Sequence, residues 1–406
     1  MKTLMILALM FLSLFTTAGE GKLAPLALGD LAATEVVGEP VRAKRPDSHR
    51  AGPVAMSWAI APDNPLDLAP QPYTAESKGY FLRLQGTDLL DGVALPVTHP
   101  GALIRMTSAG PAGKRSTPIR GSDLVFVNQS GEAFSGGRGI RPVLDTDQVP
   151  QRKTAFAPGT NVFQLHEVMG TGEFFIFSDD QTLADRQLTI EVLELRSPVS
   201  LRLQTRRDAY FMGQEVTVDA ALLDAGLPMN ASYQGQLMGP DGTTLPLTFE
   251  NGTGSATLPT TRGDFRGLWK VRVTAMSENG EQVVLREAHT AFAMARPTAR
   301  LTGDLITNQD HHGITATLNV DVAAAGRYEL RGILFGTDSG GQQVPLAIAH
   351  AADWLSPGAT SLALNFEAGL LAHEEAGAPY TVKDLRLIHQ NRMSLLHRQQ
   401  TGFHIQ

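Results

Sequence analysis

Between residues 215 and 222 the chain alternates without a break. Val216, Val218, Ala220 and Leu222 share one side of an extended backbone, and Glu215, Thr217 and Asp219 take the other. A period of two residues is what a strand with one face in a core requires. Residues 315–322 repeat the pattern, with Ala316, Leu318, Val320 and Val322 on one side and Thr315, Thr317, Asn319 and Asp321 on the other. Short apolar runs at 201–205, 232–238, 244–249, 255–258, 268–275 and 282–293 surround the first of these, separated by turns such as Pro240-Asp241-Gly242, Asn251-Gly252 and Asn279-Gly280. Seven strands in about 95 residues is the count of an immunoglobulin-like sandwich. Upstream, residues 80–84, 93–97, 102–106, 124–127, 163–166, 173–177 and 188–195 predict another β domain. Its rhythm breaks at 138–158, where a loop and a short helix both fit. Downstream, strands are expected at 328–335, 344–348 and 395–405 besides 315–322. Gly326-Arg327-Tyr328 is similar to Gly263-Asp264-Phe265, which hints that the last two units are related.

The pattern predicts an all-β protein of three consecutive β-sandwich-like units at 78–196, 197–296 and 297–406, the second and third immunoglobulin-like. Its 406 residues agree, since that length exceeds what one core serves. Residues 19–77, rich in Ala, Pro and Gly and carrying Arg42, Lys44 and Arg45, read as an extended arm. Alternation at Trp58 and Ile60 marks a short strand that would tie this arm onto a sheet. The first 18 residues have the layout of a signal peptide: Lys2, an apolar run from 4 to 15, then Thr16, Thr17, Ala18 and Gly19. That run is far below the roughly 20 residues a membrane span needs.

Composition narrows the chemistry. The absence of cysteine excludes disulfides, thiolate metal sites, cysteine nucleophiles and lipid attachment at an N-terminal Cys, and suits folding in the periplasm or outside a Gram-negative cell. With 34 basic against 41 acidic residues, phosphate-rich partners such as nucleic acid are not expected. Only three tryptophans are available as sugar-stacking platforms. Trp269 shares its face with Val271 and Val273 and belongs to a core, whereas Trp354 could sit at a rim.

Local motifs offer few candidates for catalysis or metal binding. Gly336-Thr337-Asp338-Ser339-Gly340-Gly341 looks like the nucleophile segment of trypsin-like proteases, but no matching His or orienting carboxylate accompanies it, and its place between two apolar runs is that of a hairpin turn. His166-Glu167 and His373-Glu374 lack the second His four residues on that a zinc protease needs, since positions 170 and 377 are glycine. His311-His312 reads as a solvated loop. Asp145 with Asp147, and Asp179 with Asp180 and Asp185, could gather calcium, although neither group has the EF-hand spacing. No other cofactor is expected.

Several segments together resemble a family of unknown function, domain of unknown function 4785, found in secreted proteins of gammaproteobacteria such as Legionella and Xanthomonas relatives. They are Tyr80 with Leu89-Leu90-Asp91-Gly92-Val93, Pro100-Gly101-Ala102-Leu103-Ile104-Arg105, Ser197-Pro198, Tyr210-Phe211-Met212-Gly213, Gly326-Arg327-Tyr328, Trp354-Leu355-Ser356-Pro357-Gly358 and Ala378-Pro379-Tyr380-Thr381-Val382. The resemblance implies export and a multidomain β fold, and it transfers no catalytic residue. The leading expectation is a non-enzymatic exported protein that binds another protein or a cell-envelope component. Its rivals are a hydrolase using Asp145, Asp147 and Glu167, whose carboxylates would have to converge to about 5–10 Å, and a structural spacer.

Overall fold

A computed structural model of the chain describes residues 17–39, 52–61, 66–70, 72–109, 119–145, 159–260, 267–279, 282–371 and 376–406. The arm contributes β1 (Thr17–Lys22), β2 (Leu31–Ala32), β3 (Val54–Ala59) and β4 (Ala75–Ser77). The first unit follows with β5 (Gly79–Gln85), the short helix α1 (Gly86–Asp91), β6 (Val93–Val97), β7 (Leu103–Ala109), β8 (Val125–Asn128) and β9 (Ala133–Ser135). It ends with β10 (Ile140–Asp145), β11 (Thr160–Leu165), β12 (Gly172–Phe177) and β13 (Gln187–Leu193). These form two sheets, in the orders β10-β11-β7-β13-β5 and β6-β12-β8-β9. The core between them is built on Tyr80, Leu95, Phe126, Phe163 and Phe174. The interval from 138 to 158 thus begins as strand, and 146–158 lies outside the described residues.

The second unit opens with β14 (Val199–Thr205), β15 (Ala209–Phe211), β16 (Glu215–Asp224), β17 (Leu227–Pro228) and β18 (Ser232–Met238). It continues with β19 (Thr244–Pro246), β20 (Thr248–Glu250), β21 (Thr253–Thr257), β22 (Leu268–Asn279) and β23 (Gln282–Ala295). Its sheets run β20-β21-β16-β14-β4 and β15-β23-β22-β18-β19. Val216, Val218, Ala220 and Leu222 all lie in the core, with Trp269 stacked on Phe292 at 6.2 Å. Gly263 to Phe265, compared above with Gly326 to Tyr328, fall outside the described residues.

The third unit comprises β24 (Ala299–Asp310), β25 (Gly313–Val322), β26 (Gly326–Asp338) and β27 (Gln343–Leu355). After these come β28 (Gly358–Glu367), the turn-length helix α2 (Ala368–Leu371), β29 (Ala376–His389) and β30 (Ser394–Ile405). Its sheets are β1-β24-β25-β28 and β2-β30-β29-β26-β27-β3. The Tyr328 hydroxyl donates back to the Ala324 carbonyl at 2.7 Å, as in the tyrosine corner of immunoglobulin-like sandwiches. Its ring stacks on buried His389 at 4.6 Å. Gly326 is required here, because a Cβ at that position would stand 2.2 Å from His389 Nε2.

The described strands of the arm complete the later units. β1, β2 and β3 pair with β24, β30 and β27 of the third unit, and β4 pairs with β14 of the second. The strand anticipated at Trp58 is β3, although the indole itself is exposed and stacks on His350 at 4.9 Å. A cut after residue 18 would fall within β1 and leave residues 19–22 paired to β24.

β23 joins all three units. Val284, Ala288, Phe292 and Met294 point into the second core, so the pleat sends the odd-numbered residues to the opposite face. There Leu285 packs on the first core, while Ala293 and Ala295 pack on the third. Between them the Glu287 carboxylate takes the Arg83 guanidinium at 2.9 and 3.2 Å and His289 Nε2 at 2.8 Å. Burial alone would raise this carboxyl, but the bonds from His289 and Arg83 outweigh it and bring it down to about 2.

The deepest fastening is Arg286, which with Glu194 has no exposed side-chain surface. Its Nη2 donates to Glu194 Oε2 at 2.5 Å, to Thr98 Oγ1 at 2.8 Å and to Ser197 Oγ at 3.1 Å. Nε and Nη1 donate to the carbonyls of Val199 and Leu285. Glu194 Oε1 in turn accepts the backbone N–H of Thr98 and His99. One guanidinium thus ties β23 to β6, to the end of β13 and to the link between the first two units.

Two outcomes follow for stability. Replacing Arg286 with Met leaves Glu194 buried and uncompensated, so unfolding free energy should drop by about 3–5 kcal/mol, whereas Arg286→Met with Glu194→Leu should recover most of the loss. Urea titrations of the single and double variants measure this. Acid should act in two steps. Burial brings His389 from 6.5 down to about 4, so the fold holds it neutral and loses stability as pH falls from 6.5 through 4. Glu287, depressed from 4.5 to about 2, contributes stability above pH 4.5 that is lost as pH falls toward 2. Glu287→Gln should flatten the second step and leave the first in a pH series of melting temperatures.

Candidate functional site

Where the arm passes between the second unit and β30, a cleft of about 800 Å³ opens. One wall is the polar side of β16 that the alternation had marked: Glu215, Thr217 and Asp219. The end of β14 and the link to β15 supply Gln204, Thr205, Arg206, Arg207 and Tyr210. The far side comes from Leu28, Gly29, Ala69 and Pro70 of the arm and from Gln400 of β30. The arm is held there by Arg398, whose guanidinium takes both Asp208 oxygens at 2.7 Å and the Gly29 carbonyl at 3.3 Å. Asp30 adds to this by accepting the N–H of Ala27 at 2.7 Å and of Gln400 at 2.9 Å.

Several polar groups of the cleft are already committed. Arg206 grips Asp219 through two bonds of 3.1 Å, and Thr253 Oγ1 donates to the same carboxylate. The Tyr210 hydroxyl, pushed up by burial, accepts the Arg207 N–H at 3.1 Å. Gln214 Oε1 accepts from the Phe211 N–H. The Arg207 guanidinium, by contrast, has no anionic partner among the described residues. At the rim Leu28 is fully exposed. Glu215 and Asp219 stand four residues apart along one strand, about 13 Å, beyond the separation at which paired carboxylates cleave glycosides. The cleft therefore offers hydrogen-bond donors and acceptors, a cation and an apolar lip, which is the equipment of a binding site.

A smaller hollow of about 410 Å³ contains His166 and Glu167 with Arg141, Gln164, Val168 and Arg196. Glu167 opens a 3-10 turn after β11, and Arg196 Nη2 meets its Oε1 at 2.5 Å. That hydrogen bond and charge hold the Glu167 carboxyl below the usual range, the reverse of what a general acid needs. Asp145 lies at the opposite end of the β10/β11 pair, level with Asn161, whereas Glu167 follows Leu165. The four steps from Asn161 to Leu165 span about 13 Å, so the backbone of Asp145 stands at the far end of the strand pair from Glu167. Asp147 lies outside the described residues, as do His373 and Glu374.

The remaining candidates have local structural roles. Asp180 caps a 3-10 turn by accepting the Thr182 N–H at 2.9 Å, and these bonds to Thr182 lower its carboxyl, while neighbouring Asp179 is exposed. Asp338 closes the β26–β27 hairpin by accepting from Gly340 and Gln342, which makes the Ser339 segment a turn. His311 and His312 form the exposed turn between β24 and β25, with ring centroids 3.7 Å apart. Among the described residues no group of three or more His, Asp or Glu is placed to hold a metal ion, and no helix is long and apolar enough to cross a membrane.

Family models match two parts of the chain: residues 46–194 match the N-terminal domain of DUF4785, a domain of unknown function, and residues 298–406 match its C-terminal domain. The chain belongs to the DUF4785 family. A crystal structure of a DUF4785 family protein from Legionella pneumophila superposes with a TM-score of 0.70 at 23% identity, covering 92% of this chain and 98% of that one. The DUF4785 fold described above is thus shared along nearly the whole length. Escherichia coli alpha-2-macroglobulin, activated by trypsin or by elastase, aligns at TM-scores of only 0.19 and 0.20, with 13 and 14% identity. Those alignments cover 74% and 87% of this chain but 22% and 33% of the macroglobulin chains, and they carry no argument. None of the curated proteins matches.

The cleft of this DUF4785 protein escaped sequence reasoning because its walls come from segments more than 130 residues apart. The one local signal was Arg206-Arg207, a pair of cations at the end of a strand. Because the Arg196–Glu167 pair is solvent-exposed, Glu167→Gln should leave the urea midpoint of the protein unchanged.

Proposed function

We propose that this is an exported protein, periplasmic or extracellular, that binds another protein or a cell-envelope component and catalyses no reaction of its own. The observation that carries this reading is the cleft beside β16, with Arg207 lacking an anionic partner among the described residues and Leu28 at its lip, while the Asp219 carboxylate is held by Arg206. Export is supported by the leader-like first 18 residues and the lack of cysteine. A hydrolase would need two carboxylates within about 5–10 Å of each other, and Glu215 with Asp219, four residues apart along β16, are spaced beyond that.

Thermal-shift and calorimetric titrations of the leader-free chain with peptidoglycan fragments, outer-core oligosaccharide and co-exported proteins provide the test. A ligand present at 100 times its dissociation constant stabilises the native state by about 2.7 kcal/mol. Arg207→Glu and Leu28→Asp should each weaken that ligand tenfold or more, equivalent to about 1.4 kcal/mol of binding, without lowering the melting temperature of the free protein. Turnover of a glycan or peptide, abolished by Glu167→Gln, would overturn the proposal, as would ligand binding that neither cleft variant alters.

A further inference from the structure

β3 is the last strand of its six-stranded sheet, and among the described residues no strand pairs with its outer edge. Exposed edges are ordinarily blunted by lysine, proline or a bulge. Val54-Ala55-Met56-Ser57-Trp58-Ala59 carries none of these. Its large side chains also face outward: Val54, Met56 and Trp58 are 39, 49 and 46% exposed.

The hydrogen-bond parity of the edge is determined by its inner neighbour. Ile60 N donates to the Leu346 carbonyl at 2.9 Å, continuing the register in which Trp58 faces Ile348 and Met56 faces His350. Even-numbered residues therefore turn their N–H and C=O groups toward β27, and Ala55, Ser57 and Ala59 turn theirs to the open side.

We propose that β3 pairs edge to edge with β3 of a second copy, antiparallel, about a twofold axis at Ser57. In this register the outward-directed groups match. The two Ser57 residues exchange both backbone bonds, and Ala55 does the same with Ala59 of the second copy. The Ser57 side chains then lie side by side on the inner face, small enough to let the two backbones approach. On the outer face Met56 falls opposite Trp58 and Val54 opposite Ile60, so exposed apolar surface is covered by the same surface of its copy. A shift of the axis by half a residue would oppose groups on different faces, and a larger shift would shorten the overlap. This self-complementarity, of backbone and side chains together, is what an isologous interface requires.

The test uses the full leader-free chain, whose lack of cysteine makes single-cysteine variants clean probes. Sedimentation velocity should give about twice the monomer mass at micromolar concentration. Ser57→Pro removes an N–H that points away from β27, so the circular dichroism spectrum and melting temperature should hold while the mass halves. Mixing Met56→Cys with Trp58→Cys under a mild thiol oxidant should give predominantly the mixed disulfide, and Ile306→Cys, on the other sheet and also exposed, should stay uncrosslinked. A monomeric wild-type protein with no mixed disulfide overturns the proposal. So does a dimer that survives Ser57→Pro, or crosslinking at Ile306→Cys as efficient as that of the mixed pair.

Discussion

A guanidinium with no exposed surface has to be surrounded by acceptors, and at Arg286 these come from two units and the link between them. Its partners are Glu194, Thr98 and Ser197 on one side and the Val199 and Leu285 carbonyls on the other. An isolated buried charge is so unfavourable that neither unit can keep this arrangement without the other. The orientation of the first sandwich on the second follows, and with it the meeting of Arg83 with Glu287 and the packing of Leu285 on the first core. Tyr80, beside the same carboxylate and donating to the Pro96 carbonyl, belongs to this network, and burial and Glu194 both push its phenol up.

The second joint is built from the arm. β1, β2 and β3 close the edges of a sandwich whose own strands begin nearly 240 residues later. Pairings this remote in sequence cost loop-closure entropy before they contribute contacts, so the third unit can be completed only when both ends of the chain are present. The same course carries Leu28, Gly29, Ala69 and Pro70 past β16 and makes the cleft. A cleft formed in this way depends on the relative placement of the units, and its width registers any movement between them.

Charge in this molecule is used mostly for fastening. Asp208 with Arg398, Asp384 with Arg331 and Arg386, Glu287 with Arg83 and Glu194 with Arg286 are all buried or half-buried pairs. Carboxylates held in this way are directed at a guanidinium, which suits them to rigidity. Against that distribution Arg207 is conspicuous as a cation lining the cleft without an anionic partner among the described residues.

The strands were legible in the sequence wherever one face meets a core and the other does not. Residues 93–97 and 232–238 coincide with β6 and β18, and the alternating residues of β16 and β25 point where the period of two places them. Turn chemistry was equally local, as at Asp338, where a side chain bonds its own backbone two residues on. β1, β4 and β15 carried too few residues and too weak a pattern to be seen, because such strands exist only by virtue of the edges they complete. Alternation states which residues share a face, but not what covers that face. On β23 the side bearing Leu285, Glu287 and Ala295 is covered by two other units, and on β3 the side bearing Met56 and Trp58 stays open. The sequence by itself determined an all-β chain of sandwich units, since periodicity and turns act over a few residues. Only the tertiary structure decided the joints, the cleft and the free edge, because each depends on contacts between segments hundreds of residues apart.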